Sequence, residues 1–584
     1  AERFPVEPDG ALPTFPGAPC FHRASDGTLN DLNNDLTSSQ FMSYRRVSEP
    51  FPETVEPFPR AVSNVVNIEF PGDPDLLSRT LSGFAWDFLQ FVDHDMTGAV
   101  QSEIECPGLD VPECDPCFDP ECTGEARIPY CFGVKVEDLP INIPTSWLDA
   151  SNVYCSDYFI ARALRTSVDG KMLMTENTVW GDLLPTVEFT GGDPPFILRT
   201  DLLPEGGNYP PFAGGDSRLN EQTTLTVLHT LFVREHNRII DEVLARHGGR
   251  ISCDNGVTAQ QIDEALYWFA RDLANGYQAH ILFEESLPLI LGPDAIPPYT
   301  GYKPEMAPFT NPGVEFNGAG FRIGHTMVNE FTYRLDSNGR SIPAGPLPVA
   351  DSFFNSSFIW DYGLETYLRG LVGVPSRNFN PNINDALRDH LFGSGEGAVP
   401  LIPGVQGLDL ASLNIERGRD FLVPRLNGLR KAFGLPPYRS IREISSDPEK
   451  VRALEIAYDG QVENVDPWPG MLSEDPYPGA FVGETMRAVM IEQFTANRDG
   501  DRFFYKNLDL YEPSFVALVE ADTFGDLVKR NTRIGASRFD KESFGGARNI
   551  NELTPACIPP TESCGIDPVN CPCGYEQANG QCAN

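Results

Sequence analysis

The chain has 584 residues, with 44 Lys and Arg against 83 Asp and Glu for a net charge of −39; such a surface repels phosphate backbones and anionic membranes, and excludes nucleic acid as a partner. A hydrophobic content of 41% predicts a folded protein, and 52 Gly with 52 Pro predict long loops between its elements. No apolar run reaches membrane-spanning length, since the best candidate, 279–292, is short and carries two Glu, so no transmembrane anchor is expected.

Residues 1–60 start without a basic or apolar leader, so the chain reads as already processed, and their Pro, Asn, Ser and Asp predict an arm wrapped over a core. From 61 to 550 helical periodicity recurs, over 75–95, 220–247, 258–285 and 515–531, and strand alternation is sparse. This predicts a mainly α fold: one large domain with long loops and little β. Residues 551–584 hold five cysteines and few hydrophobic residues, the composition of a small disulfide-stapled tail. The other cysteine cluster is Cys106, Cys114, Cys117, Cys122 and Cys131. Local clustering of this kind predicts disulfides in an oxidising compartment, hence a secreted, extracellular protein. The total of 13 is odd and leaves at least one thiol free or paired to another chain. A single sequon, Asn355-Ser356-Ser357, makes Asn355 a candidate glycosylation site.

Three segments carry candidate chemistry. In WDFLQFVDHD, Gln90 and His94 are four apart and share a helix face, while Asp93 and Asp95 flank the histidine and point to opposite sides of it. A metal ligand or an ordinary surface cluster explains that arrangement equally well by itself. In PTSWLDASNVY, Thr145, Trp147, Asp149 and Ser151 occur at every second residue, which lets hydroxyls, a carboxylate and a carbonyl converge as hard oxygen ligands for Ca²⁺. An Asx or Ser/Thr turn is an equal reading of that loop. His229 and His236 are seven apart on one helix face, but no HExxH pattern accompanies them.

The segments FLQFVDHDMT, TSWLDASNVY, AGGDSRLNEQTTLTVLHTLFVREHNRI, FRIGHTMVNEFTYRL and LNIERGRDF resemble, in order and spacing, those of the animal haem peroxidase family, over about residues 60–550. The resemblance implies a haem enzyme that reduces H₂O₂ and oxidises a small donor. It makes His94 the distal acid–base catalyst, Gln90 its neighbour in the distal pocket and Arg218 the distal arginine. His325 becomes the proximal iron ligand and Asn414 the acceptor of its other ring N–H. Arg322 and Arg417 match positions beside the haem propionates. Asp93 and Glu221 match the carboxylates that become ester-linked to haem methyl groups. Asp95 joins Thr145, Trp147 through its carbonyl, Asp149 and Ser151 in binding calcium. His229 and His236 fall in a structural signature of the family, so they are read as structural.

The sequence also departs from the family. Gln222 stands where some members carry a methionine bonded to haem, which makes chloride a poor donor and favours bromide, iodide, thiocyanate or phenols. After RGRD the chain reads FLVPRLN, so its path beyond Asn414 is expected to differ. Leu29 occupies a common cysteine position and leaves the partner of Cys20 open. A second reading is an adhesion or extracellular-matrix protein that keeps the peroxidase fold. No RGD or KGD tripeptide supports it.

Overall fold

A computed structural model describes residues 23–51, 57–69, 77–186, 209–246, 259–392 and 407–534. The architecture is mainly helical, and the strands among the described residues form four two-stranded antiparallel ribbons. Helix α1, Pro59–Val66, starts with proline, whose missing N–H would be unpaired there anyway.

The periodicity over 75–95 predicts one helix, but the segment is divided. Leu77–Ser82 is a strand, β1, paired with β2, Pro375–Arg377, and helix α2 spans Phe84–Met96. The Gly83 N–H donates to Val374 O at 3.0 Å, which extends the ribbon by one residue. Ser and Thr are weak helix formers, so pairing with β2 prevails in LSRTLS. Eleven of the 13 residues of α2 are buried; only Gln90 and Asp93 are not. These two are three apart and mark the face left open to a cavity.

Helix α3, Thr223–Arg246, packs against α2 and is buried on every face from Thr223 to Val233. Phe91 of α2 stacks on Phe232 at 4.9 Å and meets the edge of His229 at 5.0 Å. Burying an aromatic of this size contributes about 1.5–3 kcal/mol, so contacts of this kind anchor α2 to its neighbour. Helix α4, Ala259–His280, packs on α3 and continues through a π-helical turn, Ile281–Ser286. The stretch 515–531 also divides, into Pro513–Glu520 and Phe524–Asn531. Thr523 restarts the helix with a reciprocal cap to Asp526.

Helix α5, Leu410–Asp420, carries the RGRD segment. Its cap is Asp409, which accepts from the Ser412 N–H at 3.1 Å and pairs with Arg60 of α1 at 2.8 Å. Arg60 is fully buried and also pairs with Asp115 and Asp389, each at 2.8 Å. The path after RGRD turns at Leu422, whose φ is +54°. Arg46 donates to the carbonyls of Phe421 and Leu422, each at 2.8 Å, and satisfies the end of α5.

Described residues of the expected arm lie over this body: Arg23 pairs with Asp501 at 3.0 Å and Arg45 with Glu492 at 2.6 Å. Disulfides join Cys106 to Cys131 and Cys114 to Cys122, and Cys117 is also disulfide-bonded. Cys155 is the free thiol among the described residues. Cys20, Cys253 and the Cys-rich tail lie outside them. Asn355 is half-buried, and its Oδ1 accepts from the Ser357 hydroxyl at 2.6 Å. No helix of the described residues is long and apolar enough to cross a membrane.

Candidate active site

The open face of α2 looks into a slot of about 230 Å³ lined by Gln90, Asp93, His94, Glu221, Arg322 and His325. Asp93, His94 and Arg322 also line an adjoining cavity of about 660 Å³, whose wall includes Asp216, Arg218 and Arg417. The two cavities therefore bring together residues from α2, the loop before α3, the segment 317–325 and α5. A more open depression of about 890 Å³ near Cys106 and Lys135 includes none of these residues.

His94 is buried, and its Nδ1 has no hydrogen-bond partner among the described residues. Asp216 Oδ1 lies 3.7 Å from that nitrogen. Burial first, and then the Arg218 charge, hold the imidazole well below its ordinary pKa, so it is neutral and able to accept a proton. Arg218 donates from Nη2 to the His94 carbonyl at 3.3 Å, and is itself held by Asp216 through Nε at 2.9 Å and Nη2 at 2.8 Å. Sequence reasoning passed over Asp216. Gly215 explains how it arrives there: a Cβ at this position would come within 2.5–2.6 Å of backbone atoms of Val153, Tyr154 and Cys155. Only glycine lets the loop close this tightly on the short helix Ser151–Tyr154.

His325 sits on the short helix Gly324–Met327, which packs against α2. The Asn414 amide of α5 turns its nitrogen to His325 Nδ1 at 2.8 Å; an amide nitrogen only donates, so for Asn414 to accept the ring N–H, as expected, the amide must be turned with Oδ1 toward the ring. Burial and the neighbouring Arg322 push this imidazole down to about 3, again keeping it neutral. Arg322 Nη1 donates to the Asn414 carbonyl at 3.0 Å, and its Nε to Asn317 O at 2.6 Å. Among the described residues no carboxylate lies within ion-pair distance of Arg322, and burial with Arg417 nearby lowers it to about 10. Three guanidiniums, Arg218, Arg322 and Arg417, line the larger cavity, and Arg322, with no ion-paired acid among the described residues, suits an anionic ligand.

Two carboxyls border the slot. Asp93 accepts from the Thr97 hydroxyl at 2.7 Å, and Glu221 from Gln90 Nε2 at 2.7 Å. Burial raises both, Glu221 to about 7. Gln222 turns its amide toward Asp87 of α2 at 2.8 Å.

Behind His94, the loop 145–151 meets Asp95. The Ser151 N–H donates to Asp95 Oδ1 at 2.5 Å and to Asp149 Oδ1 at 3.1 Å, so the two buried carboxylates share one amide. Thr145 donates to Asp149 Oδ1 at 3.0 Å and the Ser151 hydroxyl to Asp95 Oδ1 at 2.9 Å. Asp149 Oδ2 is buried without a hydrogen-bond partner among the described residues. Burial and the neighbouring Asp149 raise Asp95 above the ordinary carboxylate range, a crowding of negative charge that a bound cation would relieve. The Trp147 indole donates to Gly27 O at 3.0 Å and ties the arm to the loop. Among the described residues no group of three or more His, Cys, Asp and Glu could hold a metal, so any cation here relies on two carboxylates and neutral oxygens. His236 has both ring nitrogens engaged, 2.9 Å from the Tyr154 hydroxyl and 2.9 Å from Gly170 O, and His229 packs against Phe91.

Comparison with known proteins adds a family. The model for animal haem peroxidase matches residues 22–544. Peroxinectin A of Dictyostelium discoideum is 31% identical over 536 residues, covering 87% of this chain and 93% of that protein. The mouse peroxidasin homolog is 29% identical over 554 residues, 85% of this chain, but the match spans only 36% of the relative's length. The solved structure of peroxidase A from Dictyostelium discoideum superposes with a TM-score of 0.76 at 29% identity, covering 90% of this chain and 99% of that one.

Proposed function

Because the chain belongs to the animal haem peroxidase family and is thus a haem-dependent oxidoreductase, we propose that His94 and Arg218 cleave H₂O₂ above a haem ligated by His325, and that the donor oxidised is a small anion or phenol. The observation that carries this reading is the meeting on one slot of two neutral imidazoles, His94 and His325, with the Arg322 guanidinium, which has no carboxylate within ion-pair distance among the described residues. Haem supplies the iron at which the O–O bond breaks and keeps the two oxidising equivalents for the donor.

The remaining work belongs to side chains. Asp216 faces Nδ1 of His94, which leaves Nε2 as the nitrogen available to the cavity. That atom takes a proton from one peroxide oxygen and returns it to the departing one, so a single neutral base becomes the acid of the next step. Arg218, fixed by Asp216, supplies positive charge to the departing oxygen. Asn414 would orient the His325 ring, and Arg322 and Arg417, which line the larger cavity, would hold the haem carboxylates. Asp93 and Glu221, the two carboxyls bordering the slot, would supply ester links to the haem, and Gln90 would offer an amide to solvent or halide.

Asp95, Asp149, Thr145, Ser151 and the Trp147 carbonyl would bind Ca²⁺, a role supported by the buried oxygens and by Asp149 Oδ2, which accepts no hydrogen bond among the described residues and has Arg271 Nη2 3.8 Å away. The ion would clamp α2 one residue beyond His94. Gln222 in place of a methionine removes a possible third haem link, which favours bromide, iodide, thiocyanate or phenols over chloride. The described disulfides support an oxidising, extracellular setting.

The test is a Soret spectrum of the purified protein, H₂O₂ turnover with each halide and with a phenol, and the same for His94→Ala. The variant is expected to lose about 10²–10⁴-fold in its reaction with peroxide. A colourless protein, or a variant as fast as the parent, overturns the reading, and vigorous chloride oxidation near neutral pH overturns the donor assignment.

A further inference from the structure

Asp87 takes no part in the peroxide chemistry, yet it lies one turn before Gln90 on α2 and is completely buried. Among the described residues no basic side chain is hydrogen-bonded to it. Its Oδ1 accepts from Gln222 Nε2 at 2.8 Å, the Thr224 hydroxyl lies 2.8 Å from that oxygen and 2.7 Å from Gln222 Oε1 with one proton to give to either, and its Oδ2 has no hydrogen-bond partner there. Such a group is costly to bury, so its retention in the core calls for a function beyond packing.

The contacts around it form one directed chain. The Gln222 carbonyl accepts the Thr224 N–H at 2.7 Å, which fixes that end of the amide. The other end must then point its two N–H groups elsewhere, and they reach Asp87 Oδ1 and, at 3.3 Å, Gln90 Oε1. With its carbonyl drawn to Gln222, Gln90 turns its own nitrogen to Glu221 Oε2 at 2.7 Å. An acceptor at Asp87 thus dictates, through two amides, that Glu221 meets a donor rather than a carbonyl. Reversing Gln222 would set its oxygen against the Asp87 carboxyl, and reversing Gln90 would set an oxygen against Glu221.

We propose that Asp87 is a positioning residue which, through Gln222 and Gln90, presets the Glu221 carboxyl for attachment to haem. The inference rests on the reading of Glu221 as a haem-ester residue. In that attachment one C–H bond of a haem methyl group and the carboxyl O–H bond break, and one C–O bond forms. The methyl carbon is oxidised by two electrons, one H₂O₂ is reduced, and the two hydrogens released complete two molecules of water. Burial raises Asp87 to about 7, so it need not carry a charge to serve as an acceptor.

The experiment follows attachment itself. Haem-loaded protein is treated with H₂O₂, and acid-acetone-extractable haem and the mass of the Glu221 peptide are measured over time for the parent, Asp87→Ala, Asp87→Asn and Gln222→Leu. Asp87→Ala and Gln222→Leu are expected to slow attachment at Glu221 about 10- to 100-fold, as misplacement of a reacting group does. Attachment at Asp93 should be unchanged in both, which reports that the fold is intact. Asp87→Asn retains an acceptor oxygen and should restore the parent rate. Gln222→Leu breaks the same chain without touching the buried acid, and so keeps the test decisive where Asp87→Ala fails to fold. A linked parent with equally fast variants, or an Asp87→Asn protein as slow as Asp87→Ala, overturns the positioning role alone. A parent with no ester at Glu221 overturns both this role and the reading beneath it.

Discussion

Asp216→Asn separates the charge that holds the distal arginine from the shape of the loop. Asp216 receives three hydrogen bonds from Arg218: from the backbone N–H at 2.7 Å, from Nε at 2.9 Å and from Nη2 at 2.8 Å. The Arg218 side chain is 33% exposed, so the ion pair as such contributes only about 1 kcal/mol to stability. Orientation is the larger effect. A lost donor at a developing anion costs about 10²–10³-fold, or 2.7–4 kcal/mol, and a guanidinium that is loosened but retained should lose about tenfold. Stopped-flow measurement of the Soret change on adding H₂O₂ reads this directly. Arg218→Ala should lose the full factor, and adding Asp216→Asn to it should cost little more, since the acid acts through the arginine. An unchanged rate in Asp216→Asn, or the same tenfold loss on top of Arg218→Ala, refutes the reasoning. The pH dependence has a definite sign. Burial pushes the Asp216 carboxyl up, but the Arg218 charge and its hydrogen bonds outweigh it and hold it below its ordinary value. A depressed folded pKa contributes fully above the unfolded value of about 3.9 and is lost only as pH falls through the lower folded value. The ratio of parent to variant rates should therefore be flat from about pH 5 to pH 8.

Removing calcium with a chelator should lower the melting temperature, since a ligand at 100 times its Kd contributes about 2.7 kcal/mol. Asp149→Asn should abolish that sensitivity, and a parent melt indifferent to chelator counts against the site. Arg60→Met should cost about 3–5 kcal/mol in urea unfolding, because three buried carboxylates lose their shared cation. Burial raises Asp115, but its bonds from Arg60 prevail and bring it to about 2. Its contribution is complete above about pH 3.9 and disappears as pH falls through the folded value, so the parent should lose stability between about pH 4 and pH 2, and Arg60→Met should lose less in that window.

The sequence made α2 legible because one helical period carries Gln90, His94 and the flanking acids, and the structure keeps them on one helix. The alternate oxygens of the loop 145–151 suit a cation or an Asx or Ser/Thr turn equally in the sequence, and only the fold brings the loop against Asp95. What sequence could not display depends on approach between distant segments. Asp216 matters because Gly215 lets its loop touch the backbone of 153–155. Asp87 reads as an ordinary acid in the first turn of a helix, where the dipole favours it, and only packing against α3 reveals that it is buried. Leu77–Ser82 misled for a third reason. Its apolar spacing fits a helix, but its partner, Pro375–Arg377, lies nearly 300 residues away, beyond the reach of any local window.

These layers give α2 an unusual division of labour. Phe88, Phe91 and Val92 bury its apolar side, and Asp87, Asp93 and Asp95 leave it in different directions, toward α3, the slot and the loop 145–151. Each of these acids is held by a different neighbour: Asp87 by Gln222, Asp93 by Thr97 and Asp95 by the loop 145–151. Weakening one support should therefore be felt locally first. Loss of Asp149 should free the end of α2 beside His94, and loss of Asp87 should free the amides beside Glu221, with neither change passing to the other. A double variant carrying both Asp87→Ala and Asp149→Asn should then show additive losses in haem attachment and in thermal stability, as sites without shared partners do. Strong coupling between the two would mean that the helix moves as one body and that the acids restrain a common motion.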